Sequence, residues 1–235
     1  MNLSKTNYIV FGSLKKDWNF SITVNNTIID KVNSTKFLGV VIDSNLTWAD
    51  HINLIALKIS KSVGILSKLK HSLPRKILRT LYQTLILPHL SYCCSVWSSA
   101  TKTQLNKLFI LQKRAIRHIT GINYCAHTSK HFLALNLLKL SDLINMNLAS
   151  FIYRVTHNCV PSSLTNVFKT NNQIHIHYTR QSSNIHCPPC RTSLIRHNTF
   201  NRAIDFWNSL STNTQGCNSL VKLRKYIKQI CIRKY

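Results

Sequence analysis

The sequence contains no glutamate, and its only acids are six aspartates: Asp17, Asp30, Asp43, Asp50, Asp142 and Asp205. Two-metal phosphoryl transfer needs carboxylates gathered round its ions, and glycoside cleavage needs a facing carboxylate pair. No two aspartates are adjacent. Both chemistries are therefore disfavoured, and the chain taken alone is a poor candidate enzyme. A long apolar run is also lacking. The N-terminus MNLSKTNYIVFG holds no signal-type hydrophobic region, and the most apolar stretch, 77–97, is interrupted by Arg79, Gln83, Pro88 and His89. Neither secretion nor a membrane span is expected, so the reading is intracellular, nuclear or cytoplasmic. The eight cysteines follow no framework spacing and read as reduced thiols. There is no internal repeat.

What the chain does have is positive charge. Lysine and arginine number 31 against six acids, a formal net charge of +25 over 235 residues. An A/T-rich gene would enrich lysine, but it would enrich the acids too, so codon bias does not account for their scarcity. A domain this cationic repels itself unless it meets a polyanion, and nucleic acid is the default partner. A basic surface with no dedicated partner is the plain alternative. The length allows one large domain or two small ones, and 44% hydrophobic residues suffice for a core.

Patterning gives an α+β order. Tyr8–Phe11 reads as a short β run. Phe20–Val24 and Thr27–Val32 flank Asn25-Asn26, a pair suited to a tight hairpin turn. Phe37–Ile42 reads as a further β run in which Gly39 allows close backbone approach. The period then turns helical. Thr47 is the expected N-cap, with Asp50 as its capping-box acid, ahead of Ile52, Ala56, Ile59, Val63, Leu66 and Leu69. Pro74 should open a second helix with Ile77, Leu78, Leu81, Tyr82 and Leu85 inward, and Pro88 should break it. A third helix is expected over 103–120, closed by Gly121. Two more follow near 129–139 and 141–157, ended by Pro161. Residues 170–196 read as a polar loop or linker, and 200–232 regain helical spacing.

Two basic clusters stand out. On the third helix Lys113 and Arg117 share a face by the i, i+4 rule, with Arg114 beside them and Lys107 two turns earlier. Guanidinium forks there could grip phosphates without reading sequence, and a solvated helix face is the competing reading. Lys222, Arg224, Lys225, Lys228, Arg233 and Lys234 form the second cluster, with Tyr226 among them. Cys187 and Cys190, near His175, His177, His186 and His197, raise a zinc reading. Pro188-Pro189 between them removes the N–H groups that would support thiolates, and no second cysteine pair lies at finger spacing. The remaining cysteines read as small core hydrophobes.

The order of these pieces resembles a known arrangement. Asn2-Leu-Ser-Lys-Thr6 followed by Tyr8-Ile-Val-Phe-Gly12 resembles motif D of non-LTR (LINE-type, jockey- and CR1-like) retrotransposon reverse transcriptases. Lys36-Phe-Leu-Gly-Val-Val-Ile-Asp43, Leu46-Thr-Trp48 and His51-Ile52 resemble the motif E, or primer-grip, hairpin and the start of the thumb. Leu81-Tyr82, Pro88-His-Leu-Ser-Tyr92, Val96-Trp97 and 111–117 are similar to the thumb helices. Tyr178-Thr-Arg180, Arg191-Thr192 and Phe206-Trp-Asn-Ser-Leu210 are similar to the region beyond them.

The resemblance implies a domain order: residues 1–46 the end of the palm, 47–121 a helical thumb, 122–169 a helical extension, 170–199 a polar linker, and 200–235 a basic helical region. It implies that Lys5 is the motif D lysine, held to protonate leaving pyrophosphate. Phe37, Leu38 and Gly39 would form the primer grip, and Lys113, Arg114 and Arg117 would contact template–primer backbone. The metal-binding aspartates of motifs A and C, and so the Mg²⁺ of the parent family, have no counterpart, because no Tyr-Ala-Asp-Asp box occurs. The expected function is that of a truncated RNA-directed DNA polymerase remnant, with binding of RNA or an RNA–DNA hybrid as its residual role and no cofactor or metal of its own. A non-functional fragment and a zinc-stapled nucleic-acid binder remain as alternatives.

Overall fold

The computed structural model describes residues 6–12, 21–174, 180–196 and 198–235. The fold is α+β and mainly helical, as expected. Lys5, Phe20, His175, His177, Tyr178 and His197 lie outside the described residues. The N-terminal part holds two small sheets. Strand β2 (Ile22–Val24) pairs antiparallel with β3 (Thr27–Lys31), and β1 (Asn7–Tyr8) lies parallel to β3 on its other side. Between β2 and β3, Asn25 and Asn26 both take positive φ (50° and 60°), the turn that asparagine tolerates best. The expected β run over Phe37–Ile42 is instead broken into a second hairpin. Strand β4 (Ser34–Phe37) pairs antiparallel with β5 (Val40–Asp43), and Leu38-Gly39 forms the turn at φ 46° and 83°. A continuous apolar run hid the turn, because only Gly39 carries a turn signal.

The first long helix, α1 (Ala49–Leu69), starts one residue later than the Thr47 cap predicts. Trp48 is the N-cap residue at φ 62° and makes no side-chain cap bond. The capping carboxylate is Asp43. Its oxygens accept from the backbone N–H groups of Asn45 (3.1 Å), Thr47 (2.9 Å) and Trp48 (2.9 Å). Asp50 sits in the first turn, where it complements the helix dipole.

Helix α2 (Arg75–Leu85) follows Pro74, and α3 (Leu87–Ser91) carries Pro88 in its first turn. A single turn, α4 (Cys94–Trp97), leads to α5 (Lys102–Thr120). Thr101 caps α5 by accepting from Gln104 N–H, and Gly121 ends it at φ 70°. Then come α6 (Ser129–Leu135) and α7 (Leu140–Thr156). Four short turns, α8 (Ser162–Thr165), α9 (Asn171–Ile174), α10 (Ser193–Arg196) and α12 (Thr212–Gln215), accompany α11 (Thr199–Asn208) and α13 (Leu220–Ile232).

One apolar cluster runs from Val40 in β5 to Cys231 in α13. Helix α1 packs on α5, while α7 packs on α11 and α13. Ile52, Ile59, Leu66, Tyr82, Trp97, Leu108, Ile116, Phe132 and Leu148 are fully buried. Ile77, expected inward, is 45% exposed because Leu78 and Tyr82 take the inner face of α2. The described part of the expected linker folds back onto the helices. Thr170 bridges to Ile185, and the Asn208 amide pairs with both backbone groups of Ile185 (3.1 and 2.8 Å).

A buried amide joins the helices at the centre. Gln112 Nε2 donates to Tyr82 Oη (2.8 Å) and to the Leu138 carbonyl (2.9 Å), and Gln112 Oε1 accepts from Leu140 N–H (2.9 Å). Burial lifts the Tyr82 phenol to about 12, although the Gln112 bond pulls it the other way.

Candidate nucleic-acid interface

A concavity of about 840 Å³ lies where the end of α1, the start of α2 and the end of α5 converge. Four cationic side chains line it: Lys70, Arg75, Arg114 and Arg117. The imidazoles of His71 and His118 line it too, and no carboxylate of the described residues does. Arg117 is held by two bonds to the Ala126 carbonyl, from Nε (3.3 Å) and Nη2 (3.1 Å). Arg114 donates to Tyr124 Oη (3.2 Å), and both guanidiniums lie over the Tyr124 ring at 5.9 and 5.6 Å from its centre. Tyr124 thus holds two like charges side by side, and cation–π attraction offsets part of their repulsion. Burial, reinforced by Lys70, pushes the His118 imidazole below its ordinary value, so at neutral pH it is an uncharged donor and acceptor. An oxyanion in this cavity would meet fork-shaped donors and no repelling acid.

The structure divides the residues singled out from the sequence. Arg114 and Arg117 come together in the cavity. Lys113 does not line it; its Nζ sits over the Phe109 ring at 4.5 Å, so it does not share the working face of Arg117 despite the i, i+4 spacing. Phe37, Leu38 and Gly39 form the tip of the second hairpin, away from the residues lining the cavity. Phe37 and Leu38 are 61% and 74% exposed, two apolar side chains on a turn where leucine adopts a backbone conformation it rarely takes. The tip is fixed from below: Tyr92 Oη donates to the Leu38 carbonyl at 2.6 Å, and the Tyr92 ring lies 3.6 Å from where a side chain on Gly39 would stand. In the C-terminal cluster, Arg224 turns inward onto α7, while Lys222, Lys225, Arg233 and Lys234 remain exposed. Sequence reasoning missed Lys70 and Arg75. Both sit at helix ends that only the tertiary fold brings beside α5.

The described residues offer no seat for a metal ion. Asp43 spends its oxygens on three backbone donors, and no three His, Cys, Asp or Glu side chains gather as an ion requires. The Cys190 thiol accepts from Asn201 Nδ2 (3.1 Å), and Cys187 is exposed. Among the described residues no helix is long and apolar enough to cross a membrane.

No family model and no solved structure matches the chain. Curated relatives do. The chain is 27% identical over 150 residues to the probable RNA-directed DNA polymerase from transposon X-element of Drosophila melanogaster, covering 62% of this chain and 16% of that protein. It is 30% identical over 128 residues to the RNA-directed DNA polymerase from mobile element jockey of Drosophila funebris, covering 52% of this chain and 14% of the relative. Against the Drosophila melanogaster jockey polymerase it is 30% identical over 148 residues, 61% of this chain and 16% of the relative. The chain therefore spans about one seventh of the length of these relatives. Over more than half of its residues, it is similar to a segment of the RNA-directed DNA polymerases, or reverse transcriptases, of non-LTR retrotransposons.

Proposed function

We propose that this chain is a backbone-gripping part of a non-LTR retrotransposon reverse transcriptase. Residues 1–46 form the end of a palm, 47–121 a thumb, and 122–235 the helical extension, linker and basic region packed behind it. The observation that carries the reading is the cavity lined by Lys70, Arg75, Arg114 and Arg117, with no carboxylate of the described residues among its walls. Similarity to polymerases that act on RNA supplies the polyanion. The proposed ligand is RNA or an RNA–DNA hybrid, held through phosphates rather than base edges, with the primer strand directed toward Phe37, Leu38 and Gly39. Lys5, outside the described residues, keeps its proposed role as the motif D proton donor.

These residues bind and orient; they do not transfer a nucleotide. Mg²⁺ would supply the phosphoryl-transfer chemistry in a polymerase, but the described residues provide no carboxylate cluster to hold it. The chain alone is therefore proposed to bind template–primer without extending it.

Fluorescence anisotropy with a labelled RNA–DNA hybrid tests this. If four cations each neutralise one phosphate, affinity should fall roughly a hundredfold between about 50 and about 200 mM salt, with little dependence on base sequence. Affinity that stays flat across that range overturns the reading.

A further inference from the structure

A second, smaller concavity of about 220 Å³ opens on another face, where α3, α4, α7 and α13 meet. Ser91, Cys93, Cys94 and Ser95 form one wall. Asn147, Ser150, Phe151 and Arg154 of α7 form another, and Arg224 of α13 closes it. Among the described residues neither Asp nor Glu lines it, so two guanidiniums share one concavity with no counter-charge from a described side chain. Arg224 is half-buried and fixed in place: Nε donates to Ser150 Oγ (3.0 Å) and Nη2 to Asn147 Oδ1 (3.4 Å). Both partners are neutral, so they orient the fork without cancelling its charge. Arg154 is exposed, and its guanidinium has no hydrogen-bond partner among the described residues. Burial and the neighbouring Arg154 both press the Arg224 guanidinium toward losing its proton, the signature of a cation close to a like charge.

Five N–H donors per guanidinium, two of them used by Ser150 and Asn147, leave most of the donor capacity of the pair unspent. Serine hydroxyls and thiols supply the rest of the polar wall, and the buried Cys94 thiol, lifted to about 11 by burial, stays neutral. The space equals roughly seven waters, enough for one phosphate group with a partial hydration shell.

We infer that Arg154 and Arg224 form a binding site for a single phosphate group, separate from the Lys70–Arg117 cavity and independent of whether that cavity binds nucleic acid. Arg224 is the fixed half, locked by Ser150 and Asn147. Arg154 is the mobile half that closes on the ligand. A free phosphate and the terminal phosphate of an oligonucleotide share the chemistry this pocket reads.

The test is isothermal titration of the full chain with inorganic phosphate, alongside Arg154→Gln, Arg154→Lys and, as a control, Lys102→Gln, an exposed lysine that lines neither concavity. The Arg154 guanidinium makes no hydrogen bond among the described residues, so replacing the side chain should leave the fold intact. Arg154→Gln should weaken phosphate binding about tenfold or more, Arg154→Lys should recover part of the loss, and Lys102→Gln should change nothing. Phosphate binding that is equal in Arg154→Gln and the parent chain, or that falls as far in Lys102→Gln as in Arg154→Gln, overturns the inference. Repeating the titration with 5′-phosphorylated and 5′-hydroxyl single strands separates the sources. A difference that Arg154→Gln abolishes assigns the terminal phosphate. Equal binding of the two strands, with Arg154-dependent inorganic phosphate binding retained, assigns the free ion. Because Arg154 lines this concavity and not the Lys70–Arg117 cavity, loss of its effect on phosphate is distinct from failure of hybrid binding.

Discussion

The phenol of Tyr92 reaches across 54 residues of sequence to donate to the Leu38 carbonyl at 2.6 Å. This bond ties the tip of a two-stranded hairpin to the helical body, and the Tyr92 ring covers Gly39. An isolated hairpin is marginal in water, so its conformation depends on such attachments.

Removing the attachment should loosen the tip before it unfolds the protein. Tyr92→Phe is expected to speed amide exchange at Val40 and Val41 while leaving the melting temperature nearly unchanged. Gly39→Ala places a side chain at φ 83° and should cost about 1–2 kcal/mol. Hydrogen exchange and thermal melting check the pair; unchanged exchange in Tyr92→Phe would show that the hairpin stands unaided.

Gln112 should be among the costliest polar residues to lose. Gln112→Leu strands the Tyr82 hydroxyl, the Leu138 carbonyl and the Leu140 N–H in the core. A buried group left unpaired costs about 1–3 kcal/mol, so the sum should reach about 3 kcal/mol or more. Chemical denaturation with circular dichroism measures it, and a loss below about 1 kcal/mol would refute the assignment.

The cavity residues should separate from their neighbour in salt dependence. Replacing Arg114 and Arg117 together with glutamine should flatten the slope of log affinity against log salt by about 2. Lys113→Gln, whose ammonium rests on Phe109 outside the cavity, should leave that slope unchanged. A larger slope change from Lys113 than from the arginine pair would move the interface to the other side of α5.

Acid should destabilise the fold in two stages. Burial, aided by Lys58, pushes His51 and His89 below their ordinary value, and burial with Lys70 does the same to His118. A histidine whose folded pKa is lowered takes up its proton more readily when unfolded. Its contribution is therefore whole above about pH 6.5 and is lost as pH falls through that value toward the folded pKa. Asp43 acts later. Burial pushes its carboxyl up, but the N–H groups of Thr47, Trp48 and Asn45 outweigh burial and hold it below the usual value. Its contribution is present above about pH 4 and disappears as pH falls through the lowered folded value. Melting curves from pH 8 to pH 3 for the parent, His51→Gln and Asp43→Asn should show the first stage shrink in one variant and the second in the other. Asp43→Ala should cost about 1 kcal/mol at neutral pH as a lost cap.

The sequence made some of this legible and hid the rest for physical reasons. Helix α5 was readable because Gly121 marks its end and its apolar residues keep one period, while the Thr101 cap at its start emerged only from the structure. The Asn25-Asn26 turn was readable because asparagine is at ease with positive φ. The Leu38-Gly39 turn was not, since leucine in that conformation is a tertiary imposition, met by the bond from Tyr92. The cap of α1 was misplaced because Asp43 reaches it from outside the helix, five residues before Trp48. Of the cavity, Arg114 and Arg117 were visible as neighbours on one helix. Lys70 and Arg75 were not, because nothing local relates a helix end to a helix more than thirty residues away.

Helix α5 is keyed like a shaft in a hub. Gln112 is the key: its amide fits three partners, on α2, in the turn before α7 and at the first residue of α7, and one residue of axial rotation, about 100°, would break all three bonds. Arg114 and Arg117 lie two and five residues further along the same shaft, so their bearing toward Lys70 and Arg75 is set in the dry interior. A substitution at Gln112 that the fold survives would therefore swing the charged edge out of line, weakening the grip on an anion without touching any residue that meets it.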